Sequence, residues 1–295
     1  MRLTSTVVLL ATLVTPAAAQ QVVNDRRAAP HTGAVRINNL IGSTRIIGWA
    51  KDSVWTSGTV PAGGGRFYAA SGPNSKMGVD APDNPATPGT DLVIYVPSAS
   101  RVWVKAATAS VDVSDVTGSV DVSSVSGAIH ISGAMDQLNV ESMDGDVTLM
   151  SIAPWLRAHT ASGAIKFLGR SEDLGVTTVS GIVTISGKGG VFRRMHVESV
   201  AGDVQFDGEL ASDAKVEIET HSGTVGLQLL ATLAAGFDLS TLQGSIFNQF
   251  GSGANAVTHT VRGAEAVFTV GGAGAEVKVR SFKGNIVVKR RKAAT

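Results

Sequence analysis

Apolar residues fall at alternate positions on both sides of a recurring glycine. Seven residues before it stand Leu138, Leu156, Leu174, Met195, Val216 and Phe237, and five before it Val140, Ala158, Val176, Val197, Ile218 and Leu239. Two after it come Val147, Ile165, Val183, Val204, Val225 and Ile246. Four after it come Leu149, Phe167, Ile185, Phe206 and Leu227, with Asn248 breaking the column. The residues between them, such as Asn139, Thr148, Arg157 and Glu217, are mostly polar. A period of two describes a strand with one buried face, so each glycine marks a corner joining two strands. Abundant β-branched residues and the lack of any helical period agree.

The corner glycines are Gly127, Gly145, Gly163, Gly181, Gly202, Gly223 and Gly244, at spacings of 18, 18, 18, 21, 21 and 21. Ala109 extends the series backwards by 18, and Gly284 closes it after a gap of 40. Gly118 lies midway between Ala109 and Gly127, and Gly42 opens a similar unit nearer the start. Three before the glycine a hydroxyl recurs, as Ser124, Ser142, Thr160, Thr178, Ser199, Thr220, Thr241 and Ser281. A short hydroxyl can bond a neighbouring main-chain group at a turn, and stacked repeats would build a polar ladder from it.

Two before the glycine stand Val116, Val125, Met143, Ala161, Val179, Val200, Leu242 and Phe282, with His221 the polar member. In an array of hairpins these would be apolar turn tips exposed to water. In a solenoid the chain turns a corner there and the side chain points inward. The pattern therefore predicts an all-β fold, a single-chain parallel β-solenoid (β-helix) with 18–21 residues per coil. The crossover rule makes it right-handed, and equivalent positions stack about 4.8 Å apart. The opposite turn varies freely, through "SGAMDQ", "SIAPW", "GRSED" and "GKGGVFRR".

Residues 33–292 are assigned to the solenoid, with a loop-rich insertion at 50–90 that carries Pro73, Pro82, Pro85 and Pro88. The register also lapses over 252–266. Residues 20–32 read as a solvated linker and 293–295 as a tail, with "KRRK" (289–292) as a charged guard on the open solenoid end. Residues 1–19 have a positive start, the apolar run "VVLLATLV" and an A-x-A site, which read as a signal peptide cleaved before Gln20. The run is too short to span a bilayer. An exported protein follows, periplasmic, at the cell surface or secreted, with no transmembrane segment once the signal is removed.

The 295 residues include no cysteine, which excludes disulfides and thiolate metal sites. A net charge of +1 selects no partner. "GAVRINNLIGSTRIIGWAKDSVWTSGTV", then "DLVIYVP", then serial "VSG" units ending in "VRSFKGNIVVKRR" resemble the exported bacterial putative-adhesin family of unknown function. The resemblance covers nearly the whole chain after residue 32. It implies a β-solenoid and periplasmic or surface placement, and it brings no catalytic residues to carry over.

Candidate chemistry is sparse. Ser126 and His130 could begin a hydrolytic pair, but neighbouring units replace them with Asp144 or Ala201 and with Thr148 or Lys166, and no G-x-S-x-G elbow occurs. An acidic outward face is sharper. Six and four before successive glycines stand His196 and Glu198, then Glu217 and Glu219, then Asp238 and Ser240. Sequential stacking would put Glu198 beside Glu219 and Glu217 beside Asp238, about 5 Å apart. His196, Glu198, Glu217, Glu219 and Asp238 are thus the candidate ligand or cation contacts. No cofactor is expected, calcium on this face being the one alternative.

"GGAGAEVKV" (271–279) has Glu276 and Lys278 where a calcium nonapeptide needs aspartate and an apolar residue, so it reads as a glycine-rich turn. Trp49, Trp55, Trp103 and Trp155 are read as core or end-cap packing, with sugar platforms as the alternative, to be tested first at Trp49 and Trp55 near the loop-rich region. The expected function is a non-enzymatic binding or structural module of the cell envelope. It would present polar ladders to envelope or host glycans or proteins, and no nucleic acid is expected. The alternative is a polysaccharide-active β-helix enzyme using the acidic face.

Overall fold

A computed structural model describes residues 20–82, 84, 87–250, 258–260 and 263–292. Residues 1–19, read from the sequence as a signal peptide, together with Pro85, residues 293–295 and most of 251–262, lie outside the described residues. All regular structure among them is β: twenty-five strands and no helix, joined in one continuous hydrogen-bonded sheet. Most pairings are parallel and join residues one glycine spacing apart, as a solenoid requires. Val140 pairs with Ala158, Ala158 with Val176, Val176 with Val197, and Val197 with Ile218. All five are buried. Fully burying a valine- or leucine-sized side chain contributes about 1.5–3 kcal/mol, so these columns supply the main stabilising term.

Each coil lays one strand on a front ladder, before the corner glycine, and one on a back ladder, after it. The corner glycines are required by the coil below them. A Cβ on Gly163 would overlap the carbonyl oxygen of Gly145, and one on Gly223 that of Gly202.

The corner differs from expectation in one respect. The residue two before the glycine points out, not in: Val125, Met143, Val179, Val200, Leu242 and Phe282 are all exposed. The buried corner residue is the hydroxyl one position earlier, because inward alternation continues through it. Its oxygen is satisfied locally at most corners, Ser142 being buried without a partner. Thr160, Ser199 and Thr220 donate to the carbonyls of Gly163, Gly202 and Gly223 at 2.7–3.0 Å. Thr178 and Ser281 instead accept from the amides of Gly181 and Gly284. Thr160 also reaches Thr178 and Thr220 reaches Ser281, so parts of the expected polar ladder are in place. The outward apolar tips stack on one another, as in the parallel rings of His221 and Phe282 with centroids 4.9 Å apart. Val116 is buried and, with Gly118, belongs to the opposite corner.

Both ends of the stack are out of sequence order. The coil of Gly284 inserts between those of Gly223 and Gly244: strand Ala275–Ser281 pairs with Lys215–Thr220 on one side and Ala235–Thr241 on the other. That explains the gap of 40. At the other end, Ala34–Asn38 lies between Asn74–Val79 and Arg101–Lys105. Gly42–Trp49 likewise lies between Thr90–Pro97 and Ser110–Ser114.

Antiparallel strands cap both ends. The stretch read as a linker holds the strand Gln21–Ala28, paired along its whole length with Ser53–Val60. The insertion at 50–90 contributes three strands, Ser53–Val60, Phe67–Ala70 and Asn74–Val79. At the far end Gly263–Val270 runs antiparallel to Ala235–Thr241. Covering an edge strand removes a template for unwanted pairing. The "KRRK" run is not a free tail throughout: Lys289, Arg290 and Arg291 belong to strand Ile286–Arg291 and pair with Gln228, Leu229 and Leu230 on one side, beyond the end of the Ile246–Asn248 strand on the other.

Candidate functional site

The outward positions of the front ladder form one line of side chains across the molecule. Six before each corner, successive rungs carry Lys76, Arg36, Trp103, Asp121, Asn139, Arg157, Gly175, His196, Glu217, Lys278 and Asp238. Gly175 makes room for Arg157, whose side chain lies where a Cβ would be. Arg157 reaches Asp173 at 2.8 Å and Arg194 reaches its other oxygen at 2.9 Å. Burial pushes the Asp173 carboxyl up, but the hydrogen bonds from Arg194 and Arg157 outweigh it and hold the group below its ordinary value. This knot divides the line into two unlike halves.

The five candidate residues lie in the second half. The structure brings together His196, Glu198 and Glu217: the His196 Nε2 is 2.8 Å from Glu198 and its Nδ1 is 3.7 Å from Glu217. Glu198 and Glu219 are register partners, as expected. Glu217 and Asp238 are not neighbours, because the intercalated coil puts Lys278 between them and Arg280 between Glu219 and Ser240. Lys278 Nζ is 2.6 Å from Glu217, and Arg280 is 3.9 Å from Asp238. The hydrogen bond from Lys278 holds the Glu217 carboxyl below its usual range.

That arrangement is poor for the chemistry weighed on the sequence. A general acid needs a carboxyl whose affinity for protons is raised, and Glu217 is shifted the other way. A divalent cation beside Glu217 would face the Lys278 ammonium. Among the described residues no group of three or more histidine, aspartate or glutamate side chains is placed to hold a metal ion. Ser126 and His130 are both exposed, on the corner and on the outer back ladder, and no hydrogen bond joins them.

The first half holds what sequence reasoning missed. Trp103 and Trp155 face outward instead of packing in the core or an end cap. Trp103 is half-buried, and Trp155 is 36% exposed. An open groove of about 970 Å³ runs between them, with Arg101, Asp121, Gln137 and Asn139 in its walls. A second groove of about 600 Å³ lies on the other side of Trp103, lined by Arg36, Tyr68, Lys76 and Lys105. Trp103 and Asp121 border both. Trp49 and Trp55, in contrast, are end-cap packing: they cluster with Tyr95 at centroid distances of 5.1–6.3 Å, and both indole N–H groups are bonded. The juxtaposition of Arg36 with Trp103 was hidden in the sequence because it depends on the out-of-order N-terminal coil.

The chain belongs to the Toastrack DUF4097 family, whose signature spans residues 76–289. The β-solenoid-like coil and its stacked corners are the fold of that class. Solved structures that resemble it at low identity include the following two. A putative cell adhesion protein from Clostridium sporogenes is 10% identical, with 92% of this chain and 100% of that chain covered and a TM-score of 0.23. A putative adhesin from Bacteroides fragilis is 8% identical, with 92% and 98% covered and a TM-score of 0.49. No curated protein matches this sequence.

Proposed function

We propose that this protein is a non-enzymatic binding or structural module of the cell envelope, presenting rigid side-chain ladders to glycan or protein partners. The observation that carries this reading is the charge pairing of the acidic face. Glu217 and Asp238 are separated by Lys278, which pairs with Glu217, and Arg280 lies 3.9 Å from Asp238, so of the acidic neighbours only Glu198 and Glu219 stand side by side, with His196 against Glu198. The signal-like residues 1–19 support placement outside the cytoplasm. A solenoid suits repeated weak contacts, because it holds equivalent side chains at fixed spacing on an extended surface.

The test is a glycan-array and protein-capture screen of the chain from Gln20 onward, run beside a Glu198→Ala/Glu219→Ala variant. The expected result is binding without turnover, with the variant folded and unchanged. A glycan-cleaving activity that the variant loses would establish the enzyme reading instead.

A further inference from the structure

Building on the binding-module reading, we propose that the grooves flanking Trp103 bind a uronate-bearing acidic polysaccharide. Four cations converge there. Lys76, Arg36 and Arg101 or Lys105 stand on three successive front-ladder strands. Among the described residues no carboxylate lies within salt-bridge distance of any of the four, although most arginines and lysines further along the ladder are paired. Unpaired positive charge held in a groove favours an anionic occupant, and arginine matches a carboxylate with two parallel hydrogen bonds.

The aromatic groups specify the rest of the ligand. Arg36 lies over the Trp103 ring at 5.4 Å, and Lys76 over Tyr68 at 5.7 Å. The cations are therefore steadied on ring faces in the groove. Trp155 likewise carries the Arg157 guanidinium over its ring at 4.6 Å, so both indoles present a ring-backed cation, not a bare ring, to an anionic sugar. Asp121, Asn139 and Gln137 supply acceptors and donors for hydroxyls, with Asn139 donating to Asp121 at 3.2 Å. From Lys76 to Asn139 the line covers four ladder steps, roughly 19 Å at about 4.8 Å each, which suits a chain of sugars better than one. Asp121 and Asp136 offset Arg101 in the larger groove, so the carboxylates of the ligand would sit in the groove lined by Arg36, Lys76 and Lys105.

Native gels cast with polygalacturonate, dextran or single-stranded DNA test the assignment. The wild-type chain should be retarded by polygalacturonate alone, less so as salt rises. Trp103→Ala and Arg36→Glu/Lys105→Glu should each weaken retardation at least tenfold, whereas Glu198→Ala/Glu219→Ala should not change it. The second variant alters only exposed side chains, so the test survives if Trp103→Ala fails to fold. Equal retardation of the folded Arg36→Glu/Lys105→Glu variant would overturn the site. So would retardation by DNA or dextran in place of the polyuronate. Absence of polyuronate binding together with capture of another glycan or a protein would overturn the site but spare the binding-module reading. Cleavage of a glycan that depends on Glu198 and Glu219 would remove that reading as well.

Discussion

Glu217 and Lys278 are 61 residues apart in the chain, and their side chains meet at 2.6 Å across adjacent rungs of the front ladder. The contact exists because a later coil is threaded between two earlier ones. It turns an acidic surface into an alternating one.

The contact sets an acid response. Hydrogen bonding to Lys278 holds Glu217 below its ordinary value, so its contribution is complete above the unfolded-state value and is lost as pH falls through the depressed one. Lys278→Ala should raise the Glu217 titration midpoint, read by carbon-detected NMR. Both side chains are about two-fifths exposed, so the stability change should stay within about 0.2–1 kcal/mol. An unmoved midpoint would mean that Lys278 is not the cause.

The corner geometry separates neighbouring valines. Val179 is 51% exposed and Val176 is 1% exposed. Val176→Asp should abolish cooperative folding, since it buries a charge with no partner. Val179→Asp should shift stability by about 0.5 kcal/mol or less, as surface changes do. Thermal melts followed by circular dichroism decide it, and a severe loss from Val179→Asp would contradict the outward corner.

Gly163 should not tolerate alanine. The added methyl would overlap the Gly145 carbonyl in the coil below, forcing adjacent rungs apart at about 1–3 kcal/mol. Gly236, with open space around it, is the matched control. Equal melting temperatures for the two alanine variants would refute the close approach.

Buried corner hydroxyls should be individually costly. Thr220→Val removes the donor to Gly223 and the partner of Ser281, leaving a buried carbonyl unsatisfied at about 1–3 kcal/mol. Chemical denaturation should show a lower midpoint with an unchanged slope.

The parallel coils were legible in the sequence because strict alternation and regular corners repeat the same physical constraint many times. Two things were not. The burial pattern at the corner was inverted, since residue types alone do not say whether a serine or the following valine turns inward: the hydroxyl residue does so because the inward alternation of the strand runs on through it, and most of these hydroxyls find a backbone partner within three residues. The order of the terminal coils was also hidden, because ladder pairing is non-local and any inward apolar strand fits beside any other. That single uncertainty misplaced Asp238 and concealed Arg36 beside Trp103.

The threading of Ala275–Ser281 and Ile286–Arg291 between earlier strands governs how the protein can be made. As the chain emerges from its N-terminus, residues 235–241 can pair with residues 263–270, but that pair has no ladder link to the earlier coils until residues 275–291 arrive. The far end is therefore assembled last and in one step, like a keystone set after both flanks. A chain interrupted before Ala275 lacks the one strand that joins Lys215–Thr220 to Ala235–Thr241, so its last coil has nothing to hold it to the stack.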